Sequence, residues 1–155
     1  MSNKISCIIR KRLVSATPEE LVRQKLISTM IASLGYPPHG LVLEKGLSQM
    51  PHLNLSNKRI PRRRADLICF AKDIHPAHSI YPLLLIECKA IKLSSKVVNQ
   101  VAGYNHFLQA HFIAIANDSE IQTGWYDPSK NDYTFINFLP SYQQLLKSVI
   151  PSNGA

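Results

Sequence analysis

The stretch LLLIECKAI, residues 83–91, is an apolar run interrupted by one carboxylate, Glu87, and one ammonium group, Lys89. A short apolar run that follows a proline, here Pro82, predicts a strand buried on both faces and therefore a central strand of a sheet. Because side chains alternate across a strand, Glu87 and Lys89 point to the same face. Buried charges are costly unless they are paired, hydrogen-bonded or bound to a metal.

Two interpretations of this pair follow. In the first, Glu87 and Lys89 are a structural ion pair at a strand end. In the second, Glu87 binds a divalent cation, and Lys89 steadies an attacking water or the charge on a phosphate. The nine residues alone favour the ion pair, since a short motif needs structural context before it indicates a function.

The composition predicts one globular domain. The chain has 155 residues, of which 45% are hydrophobic, and we expect the domain over residues 1–150 and a flexible tail over 151–155. No apolar run is long enough to span a bilayer, and the first residues lack a secretory signal. The three cysteines are scattered without a C-x-x-C pair, which favours a reducing cytoplasm over a disulfide framework or a cysteine zinc site.

The charge of the chain favours a polyanionic partner. Its formal net charge is +8, and such a field attracts nucleic acid. The densest basic group precedes Asp66 and consists of Lys58, Arg59, Arg62, Arg63 and Arg64. A nucleic-acid-binding loop and a merely solvated loop are both compatible with this pattern.

The N-terminal third predicts a short strand or arm over residues 5–14 and then a helix. Thr17 suits the helix cap, Pro18 the first turn, and Gly35 the end of the helix. Glu20 either completes a capping box or faces inward, because it shares a helical stripe with Gln24, Ile27 and Ile31.

The middle of the chain predicts strands over 41–45 and 65–70, with a loop over 46–62 between them. A further loop over 72–82 turns the second of these strands into the strand that carries Glu87. This hairpin would bring Asp66 close to Glu87.

The last third predicts a helix that starts at Ser94 or Ser95 and ends near Ala110, followed by a strand over 112–116. A helix between two apolar strands indicates a right-handed crossover with parallel strands. A hairpin turned at residues 127–129 and a helix over 141–149 complete an α/β fold, in which a mixed sheet is flanked by helices.

The predicted hairpin supplies ligands that suit Mg²⁺. Two carboxylates, a backbone carbonyl and waters are the ligands that Mg²⁺ prefers. A cation on the same face, here Lys89, stabilises developing negative charge.

At these residues the sequence resembles the PD-(D/E)xK nuclease superfamily, and in particular the N-terminal domain of type I restriction enzyme R subunits. The resemblance extends from about residue 5 to 145. The segments that carry it are TPEELVRQ at 17–24, LGYP at 34–37, EKGL at 44–47, RRADL at 63–67, LIECKA at 85–90 and QVAGYN at 100–105.

The resemblance implies a restriction-endonuclease-like fold and a metal-dependent DNA nuclease that hydrolyses phosphodiester bonds. Asp66, Glu87 and the peptide carbonyl of Cys88 would hold Mg²⁺, with Mn²⁺ as an alternative, and Lys89 would be the catalytic lysine. Supporting catalytic positions would be held by Gln100, Tyr104 and Glu20, with Glu19 as the other candidate for the helix carboxylate. DNA is the implied partner, and a homodimer or other nuclease subunits are compatible with it.

Two departures from the family pattern stand out. Ala65 occupies the position of the proline in the superfamily name, and no G-x-x-x-x-G-K-[ST] motif of a motor domain is present. The first departure puts little in doubt, because that position varies in such nucleases. A non-catalytic nucleic-acid-binding module and a structural relic are the alternatives to an active nuclease.

His75 and His78 have H-x-x-H spacing. Their predicted loop contains Pro76 and offers no third ligand, so they are interpreted as plain surface.

Overall fold

The computed structural model describes residues 3–53 and 63–150. It contains eight strands and three α-helices in these ranges. In chain order they are β1 (Lys4–Cys7), β2 (Arg12–Ser15), α1 (Pro18–Ala32), β3 (Leu41–Gly46), β4 (Arg64–His75), β5 (His78–Cys88), α2 (Ser95–Leu108), β6 (Phe112–Ala116), β7 (Ile121–Asp127), β8 (Asp132–Ile136) and α3 (Tyr142–Val149). The predicted tail, residues 151–155, lies outside the described residues.

Six strands form one mixed sheet in the spatial order β3-β4-β5-β6-β7-β8. Strands β5 and β6 are parallel and are joined through α2, as the crossover prediction requires. The other neighbouring strands are antiparallel. Strands β1 and β2 pair separately as a short antiparallel hairpin. The predicted mixed sheet flanked by helices is confirmed.

Strand β5 is the buried centre of the sheet. All residues from 81 to 88 are buried, in agreement with the prediction for this apolar run. Leu84 and Ile86 pack into the core on the side of α1 and α3, and Leu85 packs with Val97 and Val101 of α2 on the other side. Alternation along the strand therefore places Glu87 on the α2 side.

Helix α1 begins and ends close to the predicted positions. The hydroxyl of Thr17 accepts a hydrogen bond from the amide of Glu20 at 3.2 Å. At the other end Gly35 adopts φ +72°, and the next amide, that of Tyr36, returns to the carbonyl of Met30 at 3.0 Å. Only a residue that tolerates the left-handed region makes this turn without strain, so the glycine closes the helix.

The hairpin β4–β5 is longer than predicted. Residues 72–82 were expected as a loop, but pairing extends to His75↔His78, leaving two residues at the turn. Register shifts between Cys69 and Phe70 and between Lys72 and His75 interrupt the alternation of side chains. A bulged strand loses its period-2 pattern and accepts a proline such as Pro82, which explains why the sequence pattern indicated a loop.

Edge strand β3 carries a local irregularity at Glu44. This residue has φ +53°. Its neighbours Leu43 and Lys45 pair with Leu67 and Ala65, and Glu44 has no partner in that register. The irregularity lies beside Asp66 on the adjacent strand.

The C-terminal elements follow the predictions. Ser94 caps α2, Ser141 caps α3 through a capping box, and β7 and β8 form the expected hairpin. In the part of the chain that the structure describes, no helix combines the length and the apolar character needed to cross a bilayer.

Candidate active site

The predicted site residues of the hairpin meet at one end of the sheet. Asp66 is the third residue of β4, Glu87 and Cys88 are the last two residues of β5, and Lys89 follows directly. The last registered pair at this end is Leu67↔Ile86. Asp66 has no registered partner on β5, and its carboxylate instead reaches the amide of Cys88.

Asp66 is tied to the neighbouring strand by its side chain. Its Oδ2 accepts a hydrogen bond from the amide of Cys88 at 2.9 Å, and its main-chain oxygen accepts one from Arg23 Nη1 at 3.3 Å. Burial raises the pKa of the Asp66 carboxyl, while the Cys88 amide and the positive charges of Arg23, Arg63 and Lys89 oppose the rise. No hydrogen bond from another described residue to Oδ1 is recorded.

Glu87 is a buried carboxylate with two cationic partners. Its Oε1 pairs with Arg63 Nη2 and lies 3.4 Å from Lys89 Nζ. Both cations are partly exposed, with 39% and 22% of their side-chain surface accessible. A buried charge is tolerated only with such compensation. The predicted proximity of Glu87 and Lys89 on one face is confirmed.

The two carboxylates line different cavities. Asp66 borders a cavity of about 300 Å³ on the α1 side, together with Glu20, Arg23 and Glu44. Glu87 borders a much smaller cavity on the α2 side with Arg63 and Tyr104. Arg63 and Lys89 act on the pKa of Asp66 and also contact Glu87, so the two halves are electrostatically joined.

Four charged side chains form a network over the Asp66 cavity. Arg23 Nε donates to Glu20 Oε2 at 2.6 Å, and Arg10 Nη2 donates to Glu20 Oε1 at 2.8 Å. Arg10 also reaches Glu44 at 3.2 Å, and Arg23 reaches it at 3.4 Å. Glu20 thus faces inward and is buried between two cations, whereas Glu19 is exposed although it lines the same cavity.

Sequence reasoning missed Arg10, Arg23 and Glu44. Three of their contacts join residues that lie 10, 21 and 34 positions apart in the chain, and only the fold brings these together. One signal was available, because Arg23 follows Glu20 by three residues and such a pair lies on one helix face.

The two predicted residues of α2 differ in placement. Gln100 is exposed and makes no contact with the carboxylates that the structure records. Tyr104 is buried, and its hydroxyl lies near the backbone of Ala65 without a well-formed hydrogen bond among the described residues. Burial raises the pKa of the Tyr104 hydroxyl, and Arg63 opposes this.

The basic group before Asp66 is described only at its end. Arg63 and Arg64 are exposed and stand beside the site. Lys58, Arg59 and Arg62 lie outside the described residues, so their predicted contact with nucleic acid stays a prediction.

The donor set suits a hard divalent cation. Asp66, Glu87 and the Cys88 carbonyl are oxygen ligands, which Mg²⁺ prefers. No group of three His, Cys, Asp or Glu side chains within residues 3–53 and 63–150 is arranged to hold a metal ion. The proposed set uses two such side chains and a backbone oxygen, and the chemistry of these donors fits the ion.

The fold is a mixed sheet in which two adjacent antiparallel strands each carry a carboxylate, Asp66 on β4 and Glu87 on β5, and Lys89 lies two residues after Glu87. This arrangement defines a restriction-endonuclease-like domain. Residues 18–140 match the family model described as Type I restriction enzyme R protein N terminus. The chain belongs to this family, as the resemblance implied, and is a nuclease-like domain. Comparisons with curated proteins and with solved structures found no match.

Proposed function

We propose that this protein is a metal-dependent DNA nuclease that hydrolyses phosphodiester bonds. The observation that supports the proposal is the proximity of Glu87 and Lys89 at the end of β5, with the Asp66 carboxylate bonded to the adjacent amide of Cys88, in a chain of the type I restriction R-protein family. Of the activities of type I restriction enzymes, we propose only the hydrolysis of phosphodiester bonds for this chain.

The metal ligands in this proposal are Asp66, Glu87 and the Cys88 carbonyl, with Mg²⁺ or Mn²⁺ as the ion. Such an ion acts as a Lewis acid toward a phosphate and lowers the pKa of a bound water. Asp66 Oδ1, which accepts no hydrogen bond from the described residues, would be the oxygen that binds the ion. The amide of Cys88 holds the other oxygen and fixes the orientation of the carboxylate.

Cationic side chains complete the site. Lys89 Nζ stands beside Glu87 and would stabilise charge that develops on the scissile phosphate. Arg63 would bind an adjacent phosphate, because its guanidinium matches phosphate oxygens and is partly exposed. Tyr104 and Glu20 would position their neighbours Arg63 and Arg23, and exposed Gln100 would contact the DNA backbone.

DNA is the proposed partner, and the net charge of +8 supports it. The cysteines Cys7, Cys69 and Cys88 are free and buried, in keeping with action in the cytoplasm. Assembly as a homodimer or with other nuclease subunits is compatible with this role.

A second candidate is a non-catalytic nucleic-acid-binding module. It is favoured by one specific observation, the neutralisation of Glu87 by Arg63 and Lys89, which a structural relic would also display.

Cleavage of plasmid and linear DNA by purified protein distinguishes these functions. The nuclease should cleave with Mg²⁺ or Mn²⁺ and not with EDTA. Lys89→Ala should reduce the rate by about 100-fold or more, since a lost charge-stabilising donor typically costs that much. If wild type and Lys89→Ala bind DNA equally and neither cleaves, the binding module is the correct function.

A further inference from the structure

Arg63, the residue directly before β4, neutralises the carboxylate of Glu87. Its Nη2 pairs with Glu87 Oε1, the same oxygen that lies 3.4 Å from Lys89 Nζ. In the proposed function this nearly buried carboxylate binds a divalent cation. One carboxylate therefore has two competing partners, an arginine of its own chain and a metal ion.

The cavity beside Glu87 is too small for a hydrated ion while Arg63 lines it. Its volume is about 10 Å³, and its walls include Arg63, Leu85, Glu87 and Tyr104. A cavity needs about 10–15 Å³ to hold a single water, and Mg²⁺ usually keeps several of its waters in a protein site. An ion that reaches Glu87 from this side must therefore displace the guanidinium of Arg63.

Electrostatics also opposes the presence of both partners at Glu87. A divalent ion on this carboxylate would bring two positive charges next to a guanidinium that already lies beside the ammonium group of Lys89. Like charges a few ångströms apart repel strongly where burial limits screening by water. The metal-free carboxylate attracts Arg63, whereas the metal-bound carboxylate no longer does.

Arg63 has an alternative partner on the solvent side. Its side chain is 39% exposed, so the guanidinium is able to turn outward without leaving a packed position. The guanidinium group presents a planar fork of donors that matches the oxygens of a phosphate. A DNA backbone at the candidate active site would therefore compete with Glu87 for the same arginine.

Tyr104 indicates that this cavity has a second, occupied state. Its hydroxyl is buried, borders the same cavity as Glu87 and has no hydrogen-bond partner among the described residues. A buried hydroxyl without a partner is costly. Once Arg63 has moved outward, the Glu87 carboxylate or a water of the bound ion supplies the missing partner.

We propose that Arg63 couples metal binding to DNA binding, because it neutralises Glu87 in the metal-free protein and moves to a DNA phosphate when a divalent cation takes its place. This inference rests on the proposed nuclease function and adds its regulation. Coupling between two ligands is reciprocal. A phosphate that holds Arg63 away from Glu87 raises the affinity for the metal, and the metal raises the affinity for DNA by the same factor.

Titration calorimetry with Mn²⁺ on DNA-free protein tests the competition. The decisive variant is Arg63→Gln, which removes the guanidinium that pairs with Glu87. Arg64→Gln is the matched control, because Arg64 is exposed, borders the same cavity and forms no ion pair with Glu87 in the described part of the chain. Glu87→Gln reports whether the ion binds at this carboxylate at all.

Arg63→Gln should bind Mn²⁺ about 10-fold or more tightly than the wild type, because a hydrogen bond between two charged groups no longer has to be broken. Arg64→Gln should bind Mn²⁺ like the wild type. A short duplex with phosphorothioate linkages, which resist hydrolysis, should raise the Mn²⁺ affinity of the wild type and of Arg64→Gln about 10-fold more than that of Arg63→Gln.

Equal Mn²⁺ affinity in the wild type and Arg63→Gln overturns the proposal. An equal gain in Arg63→Gln and Arg64→Gln also overturns it, because the effect would then be one of net charge. Mn²⁺ binding that is unchanged in Glu87→Gln overturns the metal site of the proposed function as well. Binding that depends on Glu87 but not on Arg63 overturns only the coupling.

Discussion

The side chain of Asp66 accepts a hydrogen bond from the backbone amide of Cys88, which ties the aspartate of β4 to β5, the strand that carries Glu87. The distance from Oδ2 to the amide nitrogen is 2.9 Å. This contact lets the charge of Asp66 be removed without removing the hydrogen bond, because the amide oxygen of asparagine also accepts.

Asp66→Asn should therefore keep the fold and lose the response to metal. A ligand that binds only the folded state stabilises it by about 2.7 kcal/mol at a hundredfold excess over Kd. The melting temperature of the wild type should rise with Mn²⁺ or Mg²⁺ relative to EDTA, and that of Asp66→Asn should not. Asp118→Asn, at an exposed position, should behave like the wild type. Identical melting of the wild type with EDTA and with millimolar Mn²⁺ would exclude tight metal binding.

Replacing Arg62, Arg63 and Arg64 together with alanine should weaken DNA binding for all sequences alike. Phosphate contacts carry no base information, and each lost contact should flatten the slope of log affinity against log salt by about 0.9. Fluorescence anisotropy over a salt series measures both effects.

The matched control for this triple variant is Lys4→Ala with Lys130→Ala and Lys147→Ala, which removes the same charge from exposed positions on other elements. Equal slopes for the two triple variants would mean that the three arginines belong to a solvated loop and do not contact phosphates.

Arg23→Gln should strongly destabilise the protein. The guanidinium is 8% exposed and faces Glu20, which is 6% exposed, so its removal leaves a buried carboxylate with Arg10 as its remaining cation. Removing one partner of a buried pair costs about 3–5 kcal/mol. Urea denaturation measures this loss.

Glu44→Gln is the comparison for Arg23→Gln, because Glu44 belongs to the same network but is 47% exposed. Its loss should cost less than about 1 kcal/mol. Similar costs for the two substitutions would contradict the view that burial governs the network.

Stability in EDTA should fall as the pH decreases below about 6.5, the ordinary pKa of histidine. Burial is the main cause that lowers the pKa values of His52 and His111 in the folded chain. The unfolded chain therefore binds protons at a higher pH than the folded chain does. The contribution of these two histidines to the free energy of unfolding is fully present above their unfolded pKa, and it is lost as the pH falls toward their pKa values in the folded chain.

Urea denaturation at pH 7.5 and 5.5 checks this dependence. His111→Gln should reduce the loss of unfolding free energy between these two pH values. The reduction is about 1.4 kcal/mol for each unit by which the pKa of His111 differs between the unfolded and the folded chain. His39→Gln, for which the histidine is exposed, should leave the loss unchanged. An equal effect of the two substitutions would assign the pH dependence to other groups.

The sequence predicted the parts of the fold that depend on local signals. The apolar run before Glu87 identified the central strand, and Thr17, Ser94 and Ser141 identified three helix starts. The hairpin placed Asp66 and Glu87 at one end of the sheet. Each of these features is encoded within a few residues or between consecutive elements.

The remaining features depend on contacts between distant segments. Bulges in β4 concealed the last part of the hairpin, and Arg10 meets Glu44 across 34 residues. The ring centroids of His52 and His78 lie 6.1 Å apart although the two residues are distant in the chain, so this contact could not be found from spacing alone. Conversely, Gln100 suited the family pattern and lies exposed on α2.

The left-handed backbone at Glu44 bears on how copies of this chain meet. Strand β3 is one edge of the six-stranded sheet, and a regular edge is a template on which a strand from another molecule can add. With φ at +53° and no partner in register, residue 44 breaks the row of backbone donors and acceptors halfway along that edge. An incoming strand would lose a continuous ladder there, so the edge beside the candidate active site is a poor template for strand addition between molecules.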